Sequence, residues 1–416
     1  MADHAPAHRA KKTRRPLRIL VAIVTIPVLA FGVLFAASNF SQLARGLFFS
    51  VIFGQVGPTI DHIKGFPSRA IPTSSASNLP AALDDRTLEA FGRIDMQTLG
   101  PGMPAIDSQG ALDQFLNETE TTAFLVLQDG VLVHQWYAPG VDPDALHTSF
   151  SVSKSFLSTL IGIAIDEGKI GSLDDPITDY IPELLERDPR FGEITLKHLI
   201  TMTSGLEYVE TMSPWGDPVN TYFSANLRSS ALKAVIVEEP GKTFLYNNYN
   251  PLLLGMALER ATGQNVGDYM SEVLWAPMGA EADASWSMDS FYSRFEKMES
   301  GFNARPIDFA RFGLLFAQGG VVAGQQVVPE LWVKDATAAT NVSVGRNDFL
   351  DQNYRYFWWV YPHNRFAAQG NLGQYVFVAP DQGTVVVRLG RTETLSWPIL
   401  ILDLMDQLEG APEPGE

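Results

Sequence analysis

The 416-residue chain contains no cysteine. That absence excludes disulfides, thiolate zinc sites, a cysteine nucleophile and a lipidated lipoprotein cysteine, and it leaves the redox compartment unread. Other signatures are missing too. No glycine is followed two places later by serine, so a G-x-S-x-G nucleophile elbow does not occur, and there is no H-E-x-x-H, Walker loop or G-x-G-x-x-G. The seven histidines stand singly at 4, 8, 62, 134, 147, 198 and 363. Without ligand spacing among them, neither a metal nor a cofactor is expected. Positive charge is scarce beyond the N-terminus: residues 1–18 carry Arg9, Lys11, Lys12, Arg14, Arg15 and Arg18 against Asp3 alone, whereas the other 398 residues carry a net charge of −22. So acidic a body repels phosphate backbones and excludes a nucleic-acid partner. No internal repeat of fixed period is visible.

What remains is ample for a packed core, since 46% of the residues are apolar. The length allows two or three domains, or one large composite domain. After the basic tail, Ile19 to Ala37 holds no charge, and at 1.5 Å per residue such a helix is about 28 Å long, close to the hydrocarbon thickness. The expectation is a transmembrane anchor over 19–37. Residues 1–18 then stay cytoplasmic and the acidic body faces the extracytoplasmic, periplasmic side. A cleaved signal peptide led by Arg14-Arg15 is the alternative, disfavoured by the length of the run and the poor cleavage site at Phe35-Ala36-Ala37. Residues 38–84 read as linker. Within them Leu47 to Val56 is too short to span and is expected on the membrane surface or docked on the body, and Pro58 to Asp84 reads as a Pro-, Ser- and Ala-rich spacer. The globular body is expected over 85–410, followed by a frayed Ala411 to Glu416.

Within the body, Phe124 to His134 places Asp129-Gly130 between two β-prone runs, a hairpin signal. Ser151–Gly168, Leu196–Met202, Asn250–Thr262 and Ile307–Gln318 read as helices. Gln374–Ala379 and Thr384–Leu389 flank Pro380-Asp381-Gln382-Gly383 and read as a second hairpin. Strands at both ends with helices between them indicate an α+β architecture: a central antiparallel sheet built from both ends of the body, flanked by helices, with a mostly helical second lobe.

The pattern S-x-x-K occurs twice among ten lysines, as Ser151-Val152-Ser153-Lys154 and as Ser230-Ala231-Leu232-Lys233. Context separates the copies. Ser151 opens the most apolar helix of the body, so Lys154 lies one turn along on a face driven inward, where desolvation disfavours a charged amine. Such an amine can help a hydroxyl one turn away become a nucleophile, aided by the helix N-terminus. Ser230 lies in a polar stretch that keeps Lys233 hydrated, and that copy reads as structural.

Pro240-Gly241-Lys242-Thr243-Phe244-Leu245-Tyr246-Asn247-Asn248 adds a second element, because Tyr246 alone among twelve tyrosines has Asn two places on. From these residues, together with Phe150-Ser-Val-Ser-Lys-Ser-Phe156, Leu173-Asp-Asp-Pro-Ile177, Ile194–Leu206 and Phe302–Gly313, the chain resembles the serine β-lactamase and penicillin-binding-protein superfamily over roughly 85 to 405. The likeness is strongest to its class C-like branch of esterases, D-aminopeptidases and 6-aminohexanoate-dimer hydrolases. The resemblance implies a β-lactamase/transpeptidase-like fold, Ser151 as acylated nucleophile, Lys154 and Tyr246 as the proton-handling pair, and Asn248 as an orienting group at the substrate. Tyrosine and lysine both titrate near 10 in water, and neither alone is an adequate base at neutral pH.

Relatives carry Lys-Thr-Gly or a His-containing variant as a third element, yet no lysine follows Lys334 here. The corresponding stretch is Arg365 to Tyr375. Its glycines allow a backbone N–H to join that of Ser151 in an oxyanion hole, with Asn371 as the candidate donor. Without that cation, recognition of a substrate carboxylate is disfavoured, and a neutral or cationic ester or amide fits better. The sequence therefore reads as a serine hydrolase of a small carboxylic ester or linear amide, needing no metal or cofactor. The alternatives are a cell-wall D-Ala peptidase or β-lactamase, and a slowly acylating penicillin-binding sensor. Tyr208, Trp215, Trp286, Tyr356, Trp358 and Trp359 are candidates for an acyl-binding cleft, and Glu207 and Asp217 for a substrate amine, against the blander readings of core aromatics and solvated carboxylates.

Overall fold

The computed structural model describes residues 15–38, 42–54, 57–74, 77–211, 216–339 and 352–409. The uncharged run folds as α1 (Arg15–Ser38) and the second apolar stretch as α2 (Gln42–Phe53). Of the two placements open to Leu47–Val56, docking is the one found. Phe48 and Phe49 join Phe66, Phe150, Tyr222 and Phe223 in a buried aromatic cluster. Buried Arg45 donates to the carbonyls of Ser38 (2.9 Å), Ser224 (3.0 Å) and Asp289. The expected membrane span is not borne out: among the described residues no helix is long and apolar enough to cross a membrane. Part of the run is engaged elsewhere, since Phe31 and Phe35 of α1 pack on Phe48 of α2 with ring centroids 5.5 and 5.4 Å apart. The basic residues at 9 to 14 lie outside the described residues.

A seven-stranded antiparallel sheet is built, as expected, from both ends of the body. Asp129 and Gly130 take left-handed φ values of 49° and 79°, the conformation a two-residue hairpin turn demands. They join β1 (Thr121–Gln128) to β2 (Val131–Tyr137). From the other end come β3 (Asn353–Arg355), β4 (Trp358–Tyr361), β5 (Arg365–Gly370), β6 (Gln374–Ala379) and β7 (Thr384–Gly390), and the order across the sheet is β2-β1-β7-β6-β5-β4-β3. β1 is apolar without alternation because both of its faces are covered. Leu125 and Leu127 face one core, Phe124 and Val126 the other.

The first of these cores lies under α3 (Val152–Asp166), the second lobe and α7 (Pro306–Ala317). That lobe contains α4 (Asp217–Phe223), α5 (Leu227–Ala231) and α6 (Tyr249–Thr262). The opposite core is closed by α8 (Trp397–Glu409) and the helices Arg86–Arg93 and Gln109–Glu118. The stretch expected as a spacer differs. Ser68–Ile71 pairs antiparallel with Ala284–Ser287 in a four-stranded sheet, and the backbone of Ala82 and Asp84 bonds to β2. Proline and serine there mark sheet edges rather than solvated chain.

Candidate active site

Ser151 sits at the N-cap of α3, directly after Phe150, which holds a left-handed φ of 44°. For a bulky residue this conformation costs on the order of 1–2 kcal/mol, and it is held by its surroundings. Ser153 Oγ donates to the Phe150 carbonyl (2.7 Å) and accepts from the Phe302 N–H (2.9 Å). The turn leaves the Ser151 hydroxyl on the wall of a cavity of about 430 Å³, shared with Tyr208, Tyr246, Asn248, Trp359 and Asn371.

Lys154, one helical turn on, is 1% exposed. Its Nζ donates to Ser151 Oγ at 2.9 Å and to the Glu299 carbonyl at 2.8 Å, and lies 4.9 Å from the centre of the Tyr246 ring. Its partners are thus a hydroxyl, a carbonyl and an aromatic face. The structure brings Tyr246 to the same wall, with its ring against the amine, but its phenol pairs with that of Tyr354. Among the described residues no hydrogen bond joins the Tyr246 hydroxyl to Ser151 or Lys154. Burial pushes the Tyr354 phenol well above its ordinary value, and the neighbouring Tyr246 adds to the effect. Trp359 stacks on Tyr246 with ring centroids 6.1 Å apart.

Asn248 donates through Nδ2 to the Tyr208 hydroxyl (2.9 Å) and to Thr221 Oγ1 (3.2 Å), which fixes its side chain at the cavity wall. Burial raises the Tyr208 phenol. Asn371 follows the last residue of β5, and Gly370 shows why that strand can approach the nucleophile. A Cβ at Gly370 would overlap the Ser149 carbonyl oxygen and lie 3.1 Å from the Ser151 nitrogen. Both obstacles are backbone, so Gly370→Ala must push β5 away from Ser151. The expected result is a fall in kcat of about 100-fold, the size of effect that follows a 1 Å misplacement. Wild-type kcat in that variant would show that β5 is not part of the machinery.

The second S-x-x-K copy lies apart from the cavity lining. Ser230 on α5 bonds to Ser224 Oγ (2.8 Å) and the Asn226 carbonyl (3.2 Å), and Lys233 is exposed. Tyr208 and Trp359 line the cavity, but Trp286, Trp358 and Tyr356 are buried core, and Trp215 lies outside the described residues. Asp217 is taken up by the Tyr249 hydroxyl and the Val209 N–H, both at 2.6 Å, and Glu207 is exposed beyond the lining. Sequence reasoning missed Tyr354, Lys297 and Glu299. Lys297-Met298-Glu299 reads as an ordinary polar alternation, and only the tertiary fold makes both charges 1% exposed.

The Beta-lactamase family matches residues 110–396. The chain belongs to that family. Membership makes it a serine hydrolase related to the β-lactamases, in a group of esterases and amidases. It is 31% identical to a 6-aminohexanoate-dimer hydrolase of Paenarthrobacter ureafaciens over 69% of its own length and 75% of that protein. Its fold is shared with a Bacillus anthracis structure named for the same hydrolase (TM-score 0.73, 24% identity, covering 85% of this chain and 94% of that one). A family VIII carboxylesterase is also alike (TM-score 0.59, 16% identity, 80% and 98% covered).

Proposed function

We propose that the protein cleaves a small carboxylic ester or linear amide through an acyl intermediate on Ser151. The observation that carries this reading is the 2.9 Å contact between Ser151 Oγ and a buried Lys154 whose other partners are uncharged. Ser151 Oγ attacks the carbonyl carbon, and its proton passes to the Lys154–Tyr246 pair. The N–H groups of Ser151 and Asn371 receive the developing oxyanion, while Asn248 orients the substrate. The pair returns the proton to the departing alcohol or amine. It then draws a proton from water, whose oxygen attacks the acyl carbon, and hands that proton to Ser151 Oγ as the acyl C–O bond breaks and the carboxylic acid leaves.

The 6-aminohexanoate-dimer hydrolase relative favours a linear amide. The charged residues on the cavity wall favour a neutral or cationic substrate: Glu210 and Glu393 line it, Glu299 is already paired with Lys297, and no lysine or arginine is among the lining residues. Extracytoplasmic placement of the catalytic body is also a proposal, resting on the signal-peptide reading of Arg14-Arg15 ahead of an uncharged run.

The test is a fluorophosphonate probe with peptide mapping, followed by an ester and amide panel. The label should map to Ser151. Amine-bearing substrates should exceed carboxylate-bearing analogues in kcat/KM by about tenfold, since a like-charge encounter costs on the order of 1 kcal/mol or more. An unlabelled Ser151 would sink the reading. A burst without steady-state release would instead indicate a slowly acylating sensor, and release of terminal D-alanine from a muropeptide a cell-wall peptidase.

A further inference from the structure

Lys297 and Glu299 form an ion pair at 2.9 Å, both side chains 1% exposed, beside the site but outside the chemistry assigned to it. Burial lowers the Lys297 pKa, and Glu299 opposes that shift. Stability is weak grounds for keeping such a pair, because apolar residues of similar volume often do as well. Its connections are more telling. Lys297 Nζ also donates to the carbonyl of Tyr222 (2.7 Å) and, more weakly, to that of Thr221 (3.5 Å), near the C-terminal end of α4, where carbonyls lack helical partners. The rings of Phe66 and Tyr222 lie 4.9 and 4.7 Å from the ammonium.

From α4, Thr221 Oγ1 holds the Asn248 amide. From the other partner, Glu299 Oε1 accepts from Lys297 and from Ser300 Oγ (2.8 Å), and the Glu299 carbonyl accepts from Lys154. One buried ammonium therefore ties the turn that holds the proton-handling amine to the helix that holds the substrate-orienting amide.

We propose that Lys297 is a positioning residue, a clamp that sets Lys154 and Asn248 at a fixed separation across the cavity. The inference rests on the acyl-Ser151 reading, and its test is built so that the two fail separately. Two arms are needed. In the first, Lys297→Met/Glu299→Gln removes both charges together, so neither is left buried and unpaired. Ser151 should still label to completion with fluorophosphonate on long exposure, while kcat and the labelling rate both fall about 10- to 100-fold. A control that neutralises the surface pair Arg260–Glu183, Arg260→Met/Glu183→Gln, should leave kcat within about twofold.

The second arm leaves the charges alone. Thr221→Val removes the oxygen that holds Asn248 at nearly constant volume, and KM should rise about tenfold with a smaller change in kcat, while Thr221→Ser restores the wild-type value. A merely structural role predicts that Ser and Val behave alike. The clamp is overturned if Thr221→Val keeps wild-type KM, if Thr221→Ser is as impaired as Val, or if the folded charge-neutral variant keeps wild-type kcat. Failure of the wild-type protein to label at Ser151 overturns the underlying function instead.

Discussion

Ser151→Ala is expected to reduce hydrolysis of p-nitrophenyl esters by about 10⁴-fold or more and to abolish fluorophosphonate labelling, as removal of a serine nucleophile does elsewhere. The fold should barely register the change. Ser151 occupies the N-cap of α3 without a side-chain capping bond, so the hydroxyl contributes little of the ~1 kcal/mol that a capping serine can supply. The Phe150 turn is held by Ser153, not by Ser151. Thermal unfolding should therefore stay near wild type while activity disappears, a split that a misfolded variant cannot produce. Ser230→Ala is the matched control: its hydroxyl serves Ser224 and Asn226, and both activity and labelling should persist. Full esterase activity in Ser151→Ala would defeat the assignment outright.

The parts of this site that were legible in the sequence are those fixed by local geometry. A three-residue offset within a helix places hydroxyl and amine on one face, and the observed 2.9 Å contact follows from α3 forming at all. Asp129-Gly130 announced its hairpin because few other dipeptides tolerate two left-handed residues. Asn371 was legible for a related reason, since Gly370 permits the close approach that puts its neighbour on the cavity wall. Elements decided by distant chain were not legible. Ser68–Ile71 is a strand only because Ala284–Ser287 lies beside it, more than two hundred residues away. Lys297 and Glu299 carry no local sign of burial, because what covers them comes from Phe66 and from α4. The Tyr246 phenol is the instructive intermediate case. Its wall was readable from the motif, but its partner, Tyr354, is supplied by a strand more than a hundred residues downstream.

Lys154→Met should also separate catalysis from stability. Methionine keeps the apolar stem against its buried surroundings while deleting the amine. The loss leaves the Glu299 carbonyl without that donor, a cost of about 1–3 kcal/mol for a buried acceptor. Against that stands the relief of no longer keeping an amine in a site that is 1% exposed, where its partners are neutral. The two effects oppose, so the melting temperature should move by only a few degrees in either direction. Activity has no such compensation. Ser151 loses the amine bonded to its hydroxyl, and Tyr246 loses the nitrogen that sits against its ring, so acylation should slow by about 10³-fold or more, toward the upper part of the range for a lost general base. Lys154→Arg should not rescue it, because a planar guanidinium neither fits the volume nor releases a proton. Steady-state kcat and the pseudo-first-order rate of fluorophosphonate labelling should fall together, since both require the activated hydroxyl. If Lys154→Met keeps more than about a tenth of wild-type labelling, Ser151 is activated by some other group.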